Sequence, residues 1–147
     1  MATATTDQGY DNHRKFVRGY HVVAFIILMI NLIYSAYVAV TSFSVGAVVG
    51  LLLAFGLLIV AFYARTFALG AQDRVIRLEE RLRLQELLPP EQQAIIGKLS
   101  TAQLIGLRFA SDAEVGELAV AVAAEGIADR EEIKKRVKNW RPDHQRV

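Results

Sequence analysis

The chain has 147 residues, 53% of them hydrophobic, and a formal net charge of +2 at pH 7. This composition is too apolar for an ordinary soluble domain of that size, and the absence of cysteine excludes disulfide bonds and thiolate metal sites. Residues 20–64 contain no Asp, Glu, Lys or Arg, so the apolar excess lies in one segment and every formal charge lies in its two flanks.

The N-terminal flank, residues 1–19, contains a short basic run. Residues 1–10 show no apolar period and are expected to be disordered. The run Asn12-His13-Arg14-Lys15, followed by Arg18, then places cations directly before the first apolar segment.

A first uncharged segment runs from Val22 to Val40. Tyr20 and Tyr37 stand near its two ends, where amphipathic rings favour the membrane interface. We interpret residues 21–40 as a transmembrane helix. A secretory signal peptide is the competing interpretation, but the apolar run is longer than usual for one, no clear small-residue cleavage site follows, and a second span comes at once.

A second uncharged segment, Val45 to Ala64, has about the length needed to cross ~30 Å of hydrocarbon. Thr41-Ser42-Phe43-Ser44 is all that separates the two segments, which is enough only to reverse the chain between antiparallel helices. Residues 20–64 are therefore predicted to form a transmembrane hairpin, with spans at about 21–40 and 45–64.

The cations that flank this hairpin predict its orientation. None lies in the turn, and three lie on each side: Arg14, Lys15 and Arg18 before the hairpin, and Arg65, Arg74 and Arg77 after it. By the positive-inside rule, both termini are expected in the cytoplasm and the turn is expected to face outward.

The second apolar segment passes into the charged residues 65–88 without Gly-Pro punctuation. Val45 to Leu88 is therefore predicted to be one helix that leaves the membrane and continues in the cytoplasm until Pro89-Pro90 stops it. Along this extension, the pairs Asp73–Arg77 and Glu79–Arg83 are expected to attract each other across one helical turn.

An apolar stripe, Val75, Leu78 and Leu82, follows one side of the extension, and the leucines nearer its end lie on other faces. The stripe is too short and irregular for a sustained coiled coil, which needs three or four heptads. We therefore expect it to dock the helices that follow.

Residues 89–142 have the pattern of short helices with recognisable caps. Pro90 suits the first turn of a helix that reaches about Lys98. The sequences Ser100–Gln103 and Ser111–Glu114 have the Ser-x-x-Gln/Glu form and predict capping boxes at the starts of the next two helices.

The Ser111 helix is expected to stop at Gly126, and Asp129 is expected to cap a fourth helix that carries Trp140 and ends at Pro142. Residues 143–147 form a tail. A module of this size is near the lower limit for a self-sufficient core, so it should lean on the long helix or on the membrane. The predicted fold class is all-α: a transmembrane helical hairpin whose second helix extends into the cytoplasm, followed by a small bundle of short helices.

Small residues in the second span predict a packing face. Gly46, Gly50 and Ala54 recur every four residues, which lets a neighbouring helix approach closely. This face packs either on the first span or between two chains, and we favour the first because that partner is already tethered. Asn31, in the middle of the first span, is expected to be a buried amide that bonds across helices rather than part of a transport path.

No set of catalytic, nucleotide-binding or metal-binding residues stands out. The glycine-rich phosphate loops and the Gly-x-Ser-x-Gly frame are missing from the sequence, and its three histidines are isolated: His13, His21 and His144. Asp112, Glu114 and Glu117 are explained by capping and by the helix dipole. We therefore predict no cofactor and no metal, and we favour a role that is not enzymatic.

The C-terminal segment is basic and contains the single tryptophan. Its candidate contact residues are Lys134, Lys135, Arg136, Lys138 and Trp140. They could bind anionic lipid headgroups or nucleic acid, or Trp140 could complete a small core while the charges form a solvated face, which is the interpretation we favour. Nucleic-acid binding is the weakest because the Ala- and Val-rich third short helix carries no base-reading Arg, Asn or Gln.

Five segments resemble those of a family of short, uncharacterised bacterial membrane proteins with two spans and a helical cytoplasmic tail. They are Asn12-His13, Phe62–Leu69, Gln72–Glu79, Leu107–Asp112 and Ile133–Trp140. The resemblance covers nearly the whole chain after residue 10, and it implies this topology and a bacterial inner membrane but no reaction.

If these segments are the functional ones, the candidates lie where the long helix leaves the bilayer: Arg65, Gln72, Asp73, Arg74 and Arg77. We favour lipid snorkelling by Arg65 and helix-surface pairing by the rest. The leading hypothesis is a non-catalytic, membrane-anchored interaction or scaffold module, acting as a homo-oligomer or as an accessory subunit of a larger membrane complex. The alternatives are a lipid-headgroup-binding protein or enzyme at the inner leaflet, and a membrane-tethered nucleic-acid binder.

Overall fold

The computed structural model describes residues 9–11 and 16–143. Predictions that concern residues 1–8, the run Asn12-His13-Arg14-Lys15 or residues 144–147 lie outside the described residues. Within the described part, the chain divides into two compact units, one formed by residues 16–69 and the other by residues 9–11 with residues 70–143.

The described residues form helices and no β-strand, as the all-α prediction requires. The order is a π-helix at Gly19–Ala24, α1 at Phe25–Thr41, α2 at Val45–Leu87, a 3-10 helix at Gln93–Lys98, α3 at Thr101–Leu107, α4 at Asp112–Glu125 and α5 at Arg130–Arg136. The prediction of two long apolar helices followed by several short ones is confirmed.

The first unit is a helical hairpin with an apolar exterior. The Tyr20 hydroxyl donates a hydrogen bond to the Ala61 carbonyl at 2.7 Å, so the start of the first helix lies beside the later part of the second. Large side chains such as Ile30 and Leu52 are more than half exposed. Gly19–Thr41 and Val45–Leu87 are long and apolar enough to cross a membrane, which fits a membrane location.

Helix α2 is continuous over 43 residues, and the prediction of a single long helix is confirmed. It begins after a three-residue turn in which the Ser44 hydroxyl accepts a hydrogen bond from the Ala47 amide at 3.1 Å. At the other end, the Leu88 amide still donates to the Leu84 carbonyl at 2.9 Å before Pro89-Pro90 ends the helix.

The C-terminal half of α2 packs on the short helices through every fourth residue. Ile76, Glu80, Leu84 and Leu88 are all buried, and Leu84 is fully enclosed. We call these four residues the docking row. Residues four apart share one face of a helix, so the row gives the short helices a straight strip to pack against, up to the point where the chain turns back.

The expected docking stripe is on the other side of the helix, and that prediction was wrong. Val75, Leu78 and Leu82 are 53%, 61% and 52% exposed. We call these three residues the exposed stripe. The docking row contains a glutamate, Glu80, which the structure buries together with its ion-pair partners Arg83 and Arg141.

The short helices enclose a small apolar core. Its largest fully buried side chains include Leu104, Leu107, Val115, Val122 and Ile133, and Leu84 of α2 belongs to the same cluster. Phe109 is also fully buried and packs against Trp140. Gly106 lets α3 approach α5, because a Cβ atom there would lie 2.9 Å from the Cβ of Ile133. The core therefore depends on the long helix, as the size of the module predicts.

The helix caps differ from one another in a way that the sequence pattern does not show. The Ser100–Gln103 box is confirmed: the Gln103 amide donates to Ser100 Oγ at 3.2 Å, and the Ser100 amide donates to Gln103 Oε1 at 2.7 Å. The Ser111–Glu114 box was wrong. Ser111 makes no side-chain cap, because the Glu114 carboxylate instead accepts hydrogen bonds from the backbone amides of Lys138 and Asn139, each at 2.8 Å.

The last helix is shorter than predicted. Asp129 caps it by accepting a hydrogen bond from the Glu131 amide at 3.0 Å, and Gly126 ends the preceding helix with φ +67°, both as expected. However, α5 stops at Arg136, and Trp140 lies in extended chain that forms an antiparallel bridge with Ala110. The helix expected from Asp129 to Pro142 was therefore wrong beyond its second turn.

The two serines provide a matched test of the caps. Replacing Ser100 with Ala should lower the free energy of unfolding by about 1 kcal/mol because a capping bond is lost. Replacing Ser111 with Ala should change it by less than about 0.5 kcal/mol, since Ser111 Oγ has no hydrogen-bond partner in the described part of the chain. Urea unfolding of the full chain in detergent, followed by Trp140 fluorescence, measures both; equal losses would contradict the assignment.

Candidate functional site, a charged groove beside the long helix

An open groove of about 870 Å³ runs along α2 in the second unit. One wall is α2 from Gln72 to Glu86, and the other is formed by Arg108, Asp112 and residues 141–143. Charged side chains from three parts of the chain meet in it: α2, the segment from Arg108 to Asp112, and residues 141–143.

Arg83 joins the two walls. Its guanidinium donates to Asp112 Oδ1 at 2.8 Å, to Glu80 Oε2 at 3.0 Å and to the Ala110 carbonyl at 2.7 Å. The side chain is only 11% exposed, so these are charge-assisted hydrogen bonds in a largely enclosed setting. The predicted Glu79–Arg83 pair was wrong, because the Arg83 guanidinium instead bonds to Glu80, Asp112 and the Ala110 carbonyl.

Glu80 is the buried member of the docking row, with 5% of its surface exposed. It lies 3.0 Å from Arg83 and 3.7 Å from Arg141. Burial raises the pKa of this carboxyl above its ordinary value, and the charges of Arg83 and Arg141 only partly offset that effect. The groove therefore holds a carboxyl that is more easily protonated than a surface glutamate.

Arg108 is the buried cation of the opposite wall. It pairs with Asp143 at 3.3 Å, and its guanidinium carbon lies 4.5 Å from the centre of the Phe109 ring. The same ring packs against Trp140, with 4.9 Å between the ring centroids. These contacts hold the returning chain against the core, and the interpretation that Trp140 completes a small core agrees with them.

The sequence patterns did not identify this cluster. The patterns treated Glu80, Arg83, Arg108, Arg141 and Asp143 as surface charges or left them out. A usable signal was present, because Glu80 falls at four-residue spacing within the apolar row of the docking face. A charge at such a position needs partners when the face is buried.

Four of the five candidates near the start of the extension do not line the groove. Arg65 and Asp73 are half-buried, and Arg74 and Arg77 are exposed. The predicted Asp73–Arg77 ion pair does not form among the described residues. Gln72, in contrast, does line the groove.

The basic segment is divided between internal pairing and solvent. Lys134 is buried and donates to Glu131 at 2.8 Å, and burial lowers its pKa. Arg136 bonds to Glu125 at 2.7 Å and to Glu132 at 2.9 Å, and the bond to Glu125 is the main reason that its pKa is raised. Lys135 and Lys138 are exposed, and Lys135 Nζ lies 5.7 Å from the centre of the Tyr10 ring.

The small residues of the second span are placed differently from one another. Ala54 is buried within the hairpin, Gly50 is half-buried and Gly46 is exposed. A Cβ atom on Gly50 would meet no atom within 4 Å, so this chain alone does not require glycine there. The Asn31 side chain is exposed rather than buried.

The arrangement as a whole fastens α2 to the short helices. Three carboxylates, Glu80, Asp112 and Asp143, are matched by three guanidiniums, Arg83, Arg108 and Arg141. Among the described residues, no group of three or more His, Asp or Glu side chains is placed to hold a metal ion. What the groove can do chemically is respond to pH through Glu80 and present further carboxylates, those of Glu79 and Glu86, at its edge.

The chain belongs to a family of unknown function, DUF6526, whose model matches residues 4–147. The match includes both the apolar hairpin and the short helices. No curated protein and no solved structure matches the chain.

Removing the cation that joins the groove walls should destabilise the second unit. Replacing Arg83 with Met should lower the free energy of unfolding by about 3–5 kcal/mol, because Glu80 is left buried with a weakened set of partners. Replacing the exposed Arg77 with Met is the matched control and should cost less than about 0.5 kcal/mol. Unfolding in detergent followed by Trp140 fluorescence compares them, and similar losses would show that the Arg83 contacts are not stabilising.

The buried carboxyl predicts a pH dependence of stability. Since the folded-state pKa of Glu80 is raised above 4.5, the native state binds the proton more tightly, and the contribution of Glu80 to stability falls as the pH rises above about 4.5. The free energy of unfolding of the wild type minus that of the Glu80→Gln variant should therefore be lower at pH 7 than at pH 4.5. Replacing the exposed Glu117 with Gln should give no such trend. A wild-type to Glu80→Gln difference that is constant with pH would contradict the assignment.

Proposed function

We propose that this protein is a membrane-anchored interaction module whose partner is another protein. The hairpin anchors it in a bacterial inner membrane with both termini in the cytoplasm, and the second half of α2 presents the contact surface. The role is non-catalytic, as a scaffold or as an accessory subunit of a membrane complex.

The exterior of the hairpin supports the anchor. Ile27, Ile30, Leu52 and Leu53 are each at least 60% exposed, and soluble monomers rarely leave large contiguous apolar surfaces in water. The proposed orientation follows from the cations, which lie before the first span and after the second and are missing from the turn. Short loops with such an imbalance keep their positive side in the cytoplasm.

The exposed stripe is the observation that carries the interaction role. Val75, Leu78 and Leu82 lie on a helix whose opposite side is already occupied by the short helices, so their exposure is not the result of a missing core. They belong to the charged part of α2 rather than to its uncharged part, so hydrocarbon does not cover them in the proposed topology. An aligned apolar row on a fixed helix is the usual form of a helix-to-helix contact surface.

Site-specific photo-crosslinking in native membranes tests this role. A photoreactive amino acid in place of Leu78 should give a light-dependent protein adduct of discrete mass, because the side chain faces the partner. The same amino acid in place of Arg77, which is exposed on the other side of the helix, is the control and should give little adduct. Mass spectrometry identifies the product. Adducts with lipid alone, or equal protein adducts at both positions, would contradict a protein-binding role for the stripe.

A further inference from the structure

The exposed stripe is part of a longer heptad pattern on α2. Ala71, Val75, Leu78, Leu82 and Gln85 follow one another at intervals of four, three, four and three residues, which is the spacing of the a and d positions of a coiled coil. Val75 at an a position and Leu78 at the following d position have the β-branched and leucine order that favours two parallel strands, whereas the next heptad has Leu82 at a and the polar Gln85 at d.

The charges beside the stripe match a parallel pair of identical helices. In this register Arg74 and Arg81 occupy g positions, while Glu79 and Glu86 occupy e positions. In a parallel two-stranded coiled coil, each g residue faces the e residue five positions later on the other helix. Arg74 therefore faces Glu79 of a second copy, and Arg81 faces Glu86, so every contact of this kind joins opposite charges.

Of these four side chains, Arg74, Glu79 and Glu86 are exposed, and Arg81 is half-buried with its Nε atom enclosed. None of them takes part in an ion pair within the described chain. Glu79 and Glu86 also line the edge of the groove, where five carboxylates stand against three guanidiniums. The other three carboxylates pair with the guanidiniums, so Glu79 and Glu86 are the two in excess.

The short helices leave the stripe more than half exposed, although Val75 and Leu82 also belong to the α2 wall of the groove, opposite Arg108, Asp112 and residues 141–143. The docking row lies on the opposite side of α2, where Leu84 and Leu88 are buried in the core. A second α2 can therefore lie along the stripe while the short helices of each copy stay in place.

We propose that the exposed stripe binds a second copy of this chain as a short parallel coiled coil. The inference rests on the proposed function, because two copies anchored in one membrane with the same topology meet in parallel. Two heptads are too few for a stable coiled coil in solution, and confinement to the membrane raises the effective concentration enough to compensate.

Cysteine cross-linking of the full chain in its native membrane tests the second copy, and the sequence helps because it contains no cysteine. The Leu78→Cys variant should give about tenfold more disulfide dimer on mild oxidation than Arg77→Cys, since a d position faces itself across a parallel seam. Equal, low cross-linking of both variants, with Trp140 fluorescence unchanged, would overturn the proposal.

Charge exchange in the same cysteine variant tests the g-to-e contacts separately from the apolar seam. In the Leu78→Cys background, Glu79→Arg with Glu86→Arg turns every g-to-e contact into a repulsion and should lower the dimer yield about fivefold. Adding Arg74→Glu and Arg81→Glu restores opposite charges and should restore the yield. A dimer yield that stays the same in both charge variants would overturn the parallel register.

The outcomes separate this inference from the proposed function. A photo-adduct at position 78 that contains another protein, without any Leu78→Cys dimer, would overturn the second copy and leave the interaction role intact. The absence of both products would overturn both. A membrane-impermeant thiol reagent that labels Leu78→Cys but not Ser42→Cys in intact cells would overturn the proposed cytoplasmic orientation and not the parallel arrangement, which requires only that both copies share one topology.

Discussion

The burial of Glu80 in the docking row is the constraint on which the second unit depends. A carboxylate enclosed between α2 and the short helices must be given cations, and they come from distant places in the sequence. Arg83 approaches from the next helical turn, and Arg141 from the chain that returns beside Ala110. The extended C-terminal segment is thus held where it is by both the core contact of Trp140 and the charge of Glu80.

This constraint also gives α2 two different sides. An isolated charged helix of this length owes little stability to its own propensity, so packing along Ile76, Leu84 and Leu88 is what holds its C-terminal half in a defined orientation. Once that side is fixed, the apolar residues on the other side are presented in a fixed row. The exposed stripe is therefore a consequence of the docking row rather than a separate feature.

The sequence predicted most of the helices but not the extent of the last one, α5, nor which helix faces pack together. The absence of charges between residues 20 and 64 predicts the hairpin, and the Ser100–Gln103 spacing predicts the cap of α3. Both depend on local chemistry. The choice of docking face depends on tertiary contacts, since two apolar rows of similar length compete on α2. The prediction of a Ser111–Glu114 box was wrong for the same reason. The Glu114 carboxylate accepts hydrogen bonds from the backbone amides of Lys138 and Asn139, which are distant in sequence and which no local pattern reveals.

Apolar contact and charge would have separate roles in the proposed pair of helices. An exposed ion pair contributes only about 0.2–1 kcal/mol, and salt weakens it further, so Arg74–Glu79 and Arg81–Glu86 contacts between copies cannot hold two chains together by themselves. Burial of Val75, Leu78 and Leu82 supplies the attraction, and the anchor supplies the concentration. The charges then select the register and the identity of the partner, because a helix with a different order of charges would place like charges opposite one another.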